Sequence, residues 1–231
     1  MSSYASQIES VISREPVNHI LEASALYRRS FQEIPERTYY KTLERMCRKG
    51  TLIHLTKGLY YRPEISRFGT VPISEDDIIQ HYTEAGKGVI IGYRLYNEKG
   101  LTTQIGKRVE LLSSALTEDK KNILNVSVMN LRFDLTDETK CFIETMEILQ
   151  NCRTIENLNK PVLAAYMRQF SAGYSDAAAH YVLDNRRYRK SSIALLRRFL
   201  TYHGTENTLD TYLSALSSYD IPEMEEFYES A

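Results

Sequence analysis

Basic side chains recur in one stretch of the sequence at the spacing of a helix. With a turn of about 100° per residue they fall within an arc of about 80°, and they are Arg37, Lys41, Arg45 and Arg48. The opposite face is apolar and consists of Tyr39, Leu43, Met46 and Cys47. Cationic groups held in a row on a helix are suited to contacts with phosphates. The alternative is that the stripe is only a solvated helix face.

Signals for the start and the end of a helix flank this stripe. Pro35 and Glu36 precede it, and Gly50 follows it at a place where the left-handed conformation costs least in glycine. Glu44 lies inside the stripe and has two interpretations. It pairs with Arg48 four residues later, or it accepts a hydrogen bond from the amino group of a cytosine.

A short hairpin is predicted directly after this helix. Residues 51–55 and 59–62 are β-prone, and Gly58 between them supplies the positive φ of a tight loop. Lys57 then lies at the tip, and Pro63 ends the second strand. A basic hairpin tip next to a basic helix is suited to the backbone of a nucleic-acid groove.

The N-terminal residues complete a familiar order of elements. Residues 1–14 are predicted to form a first helix, and residues 17–25 supply a second apolar run that we interpret as another helix. Three helices followed by a hairpin is the order of a winged helix-turn-helix. The attached hairpin therefore favours DNA binding over a merely solvated helix face.

From this pattern we predict a set of side chains that contact double-stranded DNA. They are Arg37, Thr38, Tyr40, Lys41, Arg45, Arg48, Lys49, Lys57, Tyr61 and Arg62. Four tyrosines lie in this region, and we expect at least half of them to belong to the core instead. The overall charge of −1 conceals a local excess, because residues 28–67 hold ten Lys and Arg against four Glu, a balance of +6.

The segment RTYYKTLERMCRKGTLIHLTKGLYYRP resembles the N-terminal domain of AbiEi-type antitoxins, the transcriptional regulators of type IV toxin–antitoxin systems. The positions that match the family pattern are Leu43, Arg45, Lys49, Gly50, Leu52, Ile53, Leu55, Gly58, Tyr60 and Pro63. Tyr40 and His54 depart from it. Residues 88–116 are similar to the family's second segment, so the resemblance covers roughly the first half of the chain.

The resemblance implies a repressor that binds inverted repeats in its own promoter and opposes a nucleotidyltransferase-type toxin. No cofactor is expected, and a homodimer is expected from the symmetry of most operators. Two alternatives stay open. The first is a stand-alone winged-helix transcription factor whose C-terminal part senses a ligand or dimerises. The second, a less favoured one, is an enzyme with an accessory winged helix.

We predict an α+β fold with an N-terminal winged helix-turn-helix domain over residues 1–68. Residues 69–231 are predicted to form an α/β and helical domain that faces a partner, with a sub-boundary near 136–160. In it, strands are expected at 89–91, at 109–112 and, as a pair, within 123–133. Helices are expected to start after Ser74 and to cover 139–151, 162–170, 176–183, 191–202 and 209–216.

A second basic patch and an acidic tail lie in the C-terminal part. The patch consists of Arg186, Arg187, Arg189 and Lys190. It is either a solvated loop or a second contact for a phosphate or an acidic partner. The tail from Glu206 onward, which includes Glu229, contains no Lys or Arg. It either pairs with the basic patch of another copy or aids solubility.

The sequence contains only weak signatures of a metal site, an enzyme, a disulfide framework or a membrane span. The five histidines are scattered without partners at metal-ligand spacing, and no nucleophile motif occurs, so we expect neither a metal site nor an enzyme. The three cysteines have no paired spacing, which favours a reducing cytoplasm. No apolar run approaches the roughly 18 residues of a membrane span.

Overall fold

The computed structural model describes residues 3–228 and has an α+β fold. The described chain divides into two compact units, the first ending at His81 and the second beginning at Tyr82.

The first unit combines three helices with a small antiparallel sheet. The helices are α1 (Tyr4–Ile12), α2 (Ala23–Ser30) and α3 (Glu36–Arg48). The strands are β1 (Ile20–Glu22), β2 (Ile53–Thr56) and β3 (Leu59–Tyr61). Strand β3 lies in the middle and pairs with β1 on one side and β2 on the other. The basic helix and the hairpin after it are therefore joined to the N-terminal elements through one sheet.

The core of the first unit forms around the apolar face of α3. Tyr39, Leu43 and Met46 on this face are buried, as the sequence predicts, while Cys47 is only half-buried. Tyr39 has no exposed surface, and its hydroxyl donates a hydrogen bond of 3.0 Å to the carbonyl oxygen of Ala23. Its ring centroid lies 5.2 Å from that of Phe31. A buried tyrosine needs such a partner for its hydroxyl, and this one ties α3 to the start of α2.

The prediction of a helix in residues 17–25 is wrong. Ile20–Glu22 form strand β1, and α2 begins only at Ala23. Asn18 has φ 55°, which interrupts the chain between α1 and the strand. Strand β1 completes a three-stranded sheet, and this distant pairing overrides the local apolar pattern. The first helix spans Tyr4–Ile12; residues 1 and 2 of its predicted range lie outside the described residues.

Two further elements follow the hairpin. Strands β4 (Glu64–Ser66) and β5 (Gly69–Val71) form a two-stranded ribbon, which the sequence did not predict. Helix α4 (Glu75–Thr83) then begins where it was expected. The Ser74 hydroxyl accepts a 3.1 Å hydrogen bond from the backbone N–H of Asp77, so Ser74 caps this helix.

The second unit contains a four-stranded mixed sheet. Its strands are β6 (Gly88–Ile91), β7 (Val109–Ser113), β8 (Lys120–Ile123) and β9 (Val126–Asn130), in the order β6-β7-β9-β8. The central pair β7 and β9 is parallel, and the outer pairs are antiparallel. Of the two strands predicted within 123–133, one is β9, whereas the other, β8, begins earlier and reaches this range only at Ile123. The chain turns at Leu124, with φ 50°, and β9 pairs with β8.

Six α-helices of the described residues share the core of the second unit with the sheet. They are α5 (Gly92–Glu98), α6 (Asp137–Asn151), α7 (Lys160–Ala172), α8 (Asp176–Asn185), α9 (Lys190–Tyr202) and α10 (Glu225–Tyr228). Side chains of Thr136, Asn159 and Ser175 cap α6, α7 and α8. The helix predicted over 209–216 is wrong. A single 3-10 turn occupies Leu209–Tyr212, because the backbone is already extended at Leu213.

Candidate nucleic-acid interface

Helix α3 presents its basic face to solvent. Packing of Tyr39, Leu43 and Met46 fixes the rotation of the helix, so the side chains about half a turn away point outward. The exposed cations of this face are Arg37, Lys41, Arg45 and Arg48. The predicted face thus exists as one continuous surface on a single rigid element.

A shallow depression runs along this face. Its lining residues are Thr38, Lys41, Glu44, Arg45 and Arg48. One guanidinium N–H of Arg45 donates a 3.0 Å hydrogen bond to the hydroxyl of Thr42, which fixes its orientation beside the depression. Glu44 is exposed and forms no ion pair with Arg48 among the described residues, so the first of its two interpretations is wrong.

The hairpin places one further cation at an exposed tip. Lys57 and Gly58 form the two-residue connection between β2 and β3, and Gly58 has φ 76°. This positive φ is the reason a glycine is needed there. The carbonyl oxygen of Gly58 accepts a 2.9 Å hydrogen bond from the backbone N–H of Ala23, so the tip is anchored to the start of α2.

The two tyrosines of the predicted set, Tyr40 and Tyr61, differ in their burial. Tyr61 is only 4% exposed and pairs with Ile20 and Ile53 across the sheet. It belongs to the core, and its assignment to the DNA contacts is wrong, because the middle strand of the sheet turns this side chain inward. Tyr40 is half-buried beside Tyr39, with ring centroids 5.2 Å apart. Tyr40 keeps an accessible part next to the basic face.

Two of the predicted cations are engaged within the unit. The guanidinium of Arg62, the residue after β3, donates a hydrogen bond to the carbonyl oxygen of Glu15 in the segment that follows α1. The ammonium of Lys49 lies 3.0 Å from the carboxylate of Glu9. The pair between Lys49 and Glu9 is exposed, and exposed pairs contribute little to stability and exchange readily with other partners. Arg62, in contrast, is half-buried and has a structural role.

The remaining cations are available to a ligand. Among residues 3–228, Arg37, Lys41, Arg48 and Lys57 form no ion pair, and Arg45 contacts only the neutral hydroxyl of Thr42. Five unpaired cations on one helix and the adjoining hairpin make a polyanion the best match for this surface.

The second basic patch is not a single surface. The Arg186 guanidinium lies 5.6 Å from the ring centroid of Tyr188, and its Nε is buried. Burial raises the pKa of the nearby Glu147 carboxyl, an effect that the charge of Arg186 opposes. Arg187 and Lys190 point to solvent, whereas Arg189 lines a cleft at the start of α9. The four side chains therefore lie in different environments and do not form one basic surface.

The acidic tail folds back onto its own unit. Carboxylates of Asp210, Asp220 and Glu223 pair with Arg197, Arg153 and Arg198. Three carboxylates of the tail are thus paired within the same chain, and none of these pairs involves the basic patch of another copy. Glu229 lies outside the described residues.

Residues 3–228 contain no group of three or more His, Cys, Asp and Glu side chains placed to hold a metal ion. Among these residues, no helix has both the length and the apolar character needed to cross a bilayer.

The structural role of Arg62 leads to a prediction. We expect Arg62→Ala to lower the free energy of unfolding by about 1 to 2 kcal/mol, because the half-buried carbonyl of Glu15 loses a charged hydrogen-bond donor. Arg48→Ala is the matched control, since it removes an exposed and unpaired guanidinium and should change stability by less than about 0.5 kcal/mol. Urea unfolding monitored by circular dichroism measures both. Equal stability of the two variants would show that Arg62 is not structural.

Comparisons with known proteins give little. No protein-family model and no curated protein matches the sequence. Among solved structures, the RV2827C protein from Mycobacterium tuberculosis is similar, with a TM-score of 0.45 and 14% sequence identity over 88% of this chain and 78% of that chain.

Proposed function

We propose that the chain is a DNA-binding transcriptional regulator whose first unit is a winged helix-turn-helix. The order of its elements supports this: helix, strand, helix, helix and then a two-stranded hairpin whose second strand pairs with the first strand. In this proposal α3 is the recognition helix and the β2–β3 hairpin is the wing.

The observation that carries the proposal is the unpaired basic face of α3. A major groove accepts one α-helix, and in this proposal the exposed cations along this face contact the phosphates on either side of the helix. Glu44 and Thr38, in the depression between the cations, are polar groups of the kind that read base edges. Lys57 at the hairpin tip extends the same charged surface beyond the helix.

We further propose that this regulator is an antitoxin that represses its own promoter in the cytoplasm. The support is the resemblance of residues 37–63 to AbiEi-type antitoxins and the concentration of positive charge in the first unit. In this proposal the second unit opposes a nucleotidyltransferase-like toxin, and the chain binds inverted repeats as a homodimer.

The DNA contact is tested by removing three cations at once. We expect Arg37→Ala combined with Lys41→Ala and Arg45→Ala to weaken binding to the upstream region of its own gene by about a hundredfold or more. Fluorescence anisotropy with a labelled duplex measures the affinity. The unfolding transition should change little, because all three side chains are exposed.

A control variant separates the site from the net charge. Lys107, Lys120 and Lys140 are also exposed and form no ion pair with a described residue, so their combined replacement by Ala removes the same charge from the second unit. This control should bind DNA nearly as the unaltered chain does. If both triple variants bind alike, α3 is not the contact surface.

The antitoxin proposal has its own test. When the tagged full chain is isolated from cells that express it natively, mass spectrometry should identify a nucleotidyltransferase-like protein in about equimolar amount. Recovery of the chain without such a partner, from cells in which DNA binding is intact, contradicts the antitoxin role and leaves a stand-alone transcription factor.

A further inference from the structure

Glu44 is a carboxylate beside the cations of α3. Lys41 precedes it by three residues and Arg48 follows it by four, so at about 100° per residue both lie within about 60° of it around the helix axis. All three side chains line the same depression. The carboxylate is therefore a direct neighbour of two cations on the surface proposed to contact DNA.

The carboxylate of Glu44 has no partner in the described part of the chain. It is exposed, and it neither accepts a hydrogen bond from nor forms an ion pair with another described residue. Arg48 is the usual partner of a glutamate four residues before it, yet among residues 3–228 it is unpaired as well. The guanidinium of Arg45 donates to Thr42 instead. Glu44 is thus solvated by water in the free protein.

A duplex that covers this face removes water from Glu44. A carboxylate that loses its water without gaining a hydrogen-bond donor is unfavourable, and phosphates offer it only negative charge. In the major groove, the base edges present donors only at the amino groups of cytosine and adenine, N4 and N6. Glu44 therefore weakens DNA binding unless one of these two bases lies opposite it.

Cytosine fits a carboxylate better than adenine does. The amino group of adenine lies next to N7, an acceptor on the same edge that repels carboxylate oxygens, whereas N4 is the only polar group that cytosine presents in the groove. The paired guanine adds two acceptors, O6 and N7, which arginine and lysine side chains bind. A C·G pair thus matches a carboxylate with cations beside it, which is the pattern of Glu44, Lys41 and Arg48.

We propose that Glu44 selects a cytosine in the major groove, with its carboxylate accepting a hydrogen bond from the N4 amino group. The choice of base rests on the proposed function, in which α3 is the recognition helix. In that arrangement the cations of the face bind the DNA backbone whatever its sequence. Glu44 makes this binding depend on one base pair for each bound chain.

The base preference is measured by selecting sites for the full chain from a pool of random duplexes, followed by anisotropy titrations with the selected sites. We expect one position to be cytosine, with other bases there binding about tenfold more weakly. Glu44→Ala should lose this preference and bind the other bases at least as tightly as the unaltered chain does, because a negative charge leaves the surface. Glu44→Gln should accept adenine, since a glutamine amide pairs with N6 and N7.

A modified base tests the same hydrogen bond from the side of the DNA. N4-methylcytosine still pairs with guanine, but its methyl group replaces the N–H that points into the major groove. At the selected position, this base should weaken binding of the unaltered chain by about tenfold and leave binding of Glu44→Ala unchanged.

The matched control is Glu36→Gln. It removes the same charge from the first turn of α3, where the side chain is exposed and does not line the depression. This control should keep the cytosine preference of the unaltered chain.

The outcomes distinguish the choice of base from DNA binding itself. Loss of the cytosine preference in Glu44→Ala, but not in Glu36→Gln, supports the proposal. If the full chain binds no duplex, the proposed function is wrong and the reading of cytosine is wrong with it. If the full chain binds DNA but selects no cytosine, only the role of Glu44 is overturned. The same holds if Glu44→Ala, folded by circular dichroism, keeps the preference.

Discussion

The rotation of α3 about its own axis is the constraint on which the proposed interface depends. Tyr39 fixes it, because its ring is fully buried against Phe31 and its hydroxyl is bonded to the carbonyl oxygen of Ala23. A helix seated in this way has no freedom to turn, so its cations must face solvent together. Burial raises the pKa of the Tyr39 hydroxyl well above its ordinary value.

Local patterns in the sequence predicted the elements whose periodicity or turn residues lie within the element itself. The period of the apolar residues predicted α3, and the positive φ required at Gly58 predicted the hairpin. Strand β1 was missed because its pairing partner, β3, lies almost forty residues later. The helix predicted over 209–216 was wrong because packing, and not a helical period, determines this segment. Its apolar residues around Leu209 pack into the core of the second unit, and no helical period sustains them beyond Tyr212.

The sequence predicted which charged residues share one face of α3. It did not predict which side chains of the candidate site are bonded or buried within the protein. Sequence spacing placed Arg37, Lys41, Arg45 and Arg48 on one face, and the fold keeps them there. It did not reveal that Arg62 holds the carbonyl of Glu15 or that Tyr61 points into the sheet, because both depend on where β3 lies.

The salt dependence of DNA affinity for Lys57→Ala tests the central claim most directly. Each phosphate contact releases condensed counterions, so the slope of log affinity against log salt concentration counts the cations that touch the DNA. We expect this variant to flatten the slope by about one unit. Arg62→Ala, whose guanidinium is bonded within the protein, should leave the slope unchanged. An unchanged slope for Lys57→Ala would contradict the claim that the basic helix and its hairpin together form the DNA-binding surface.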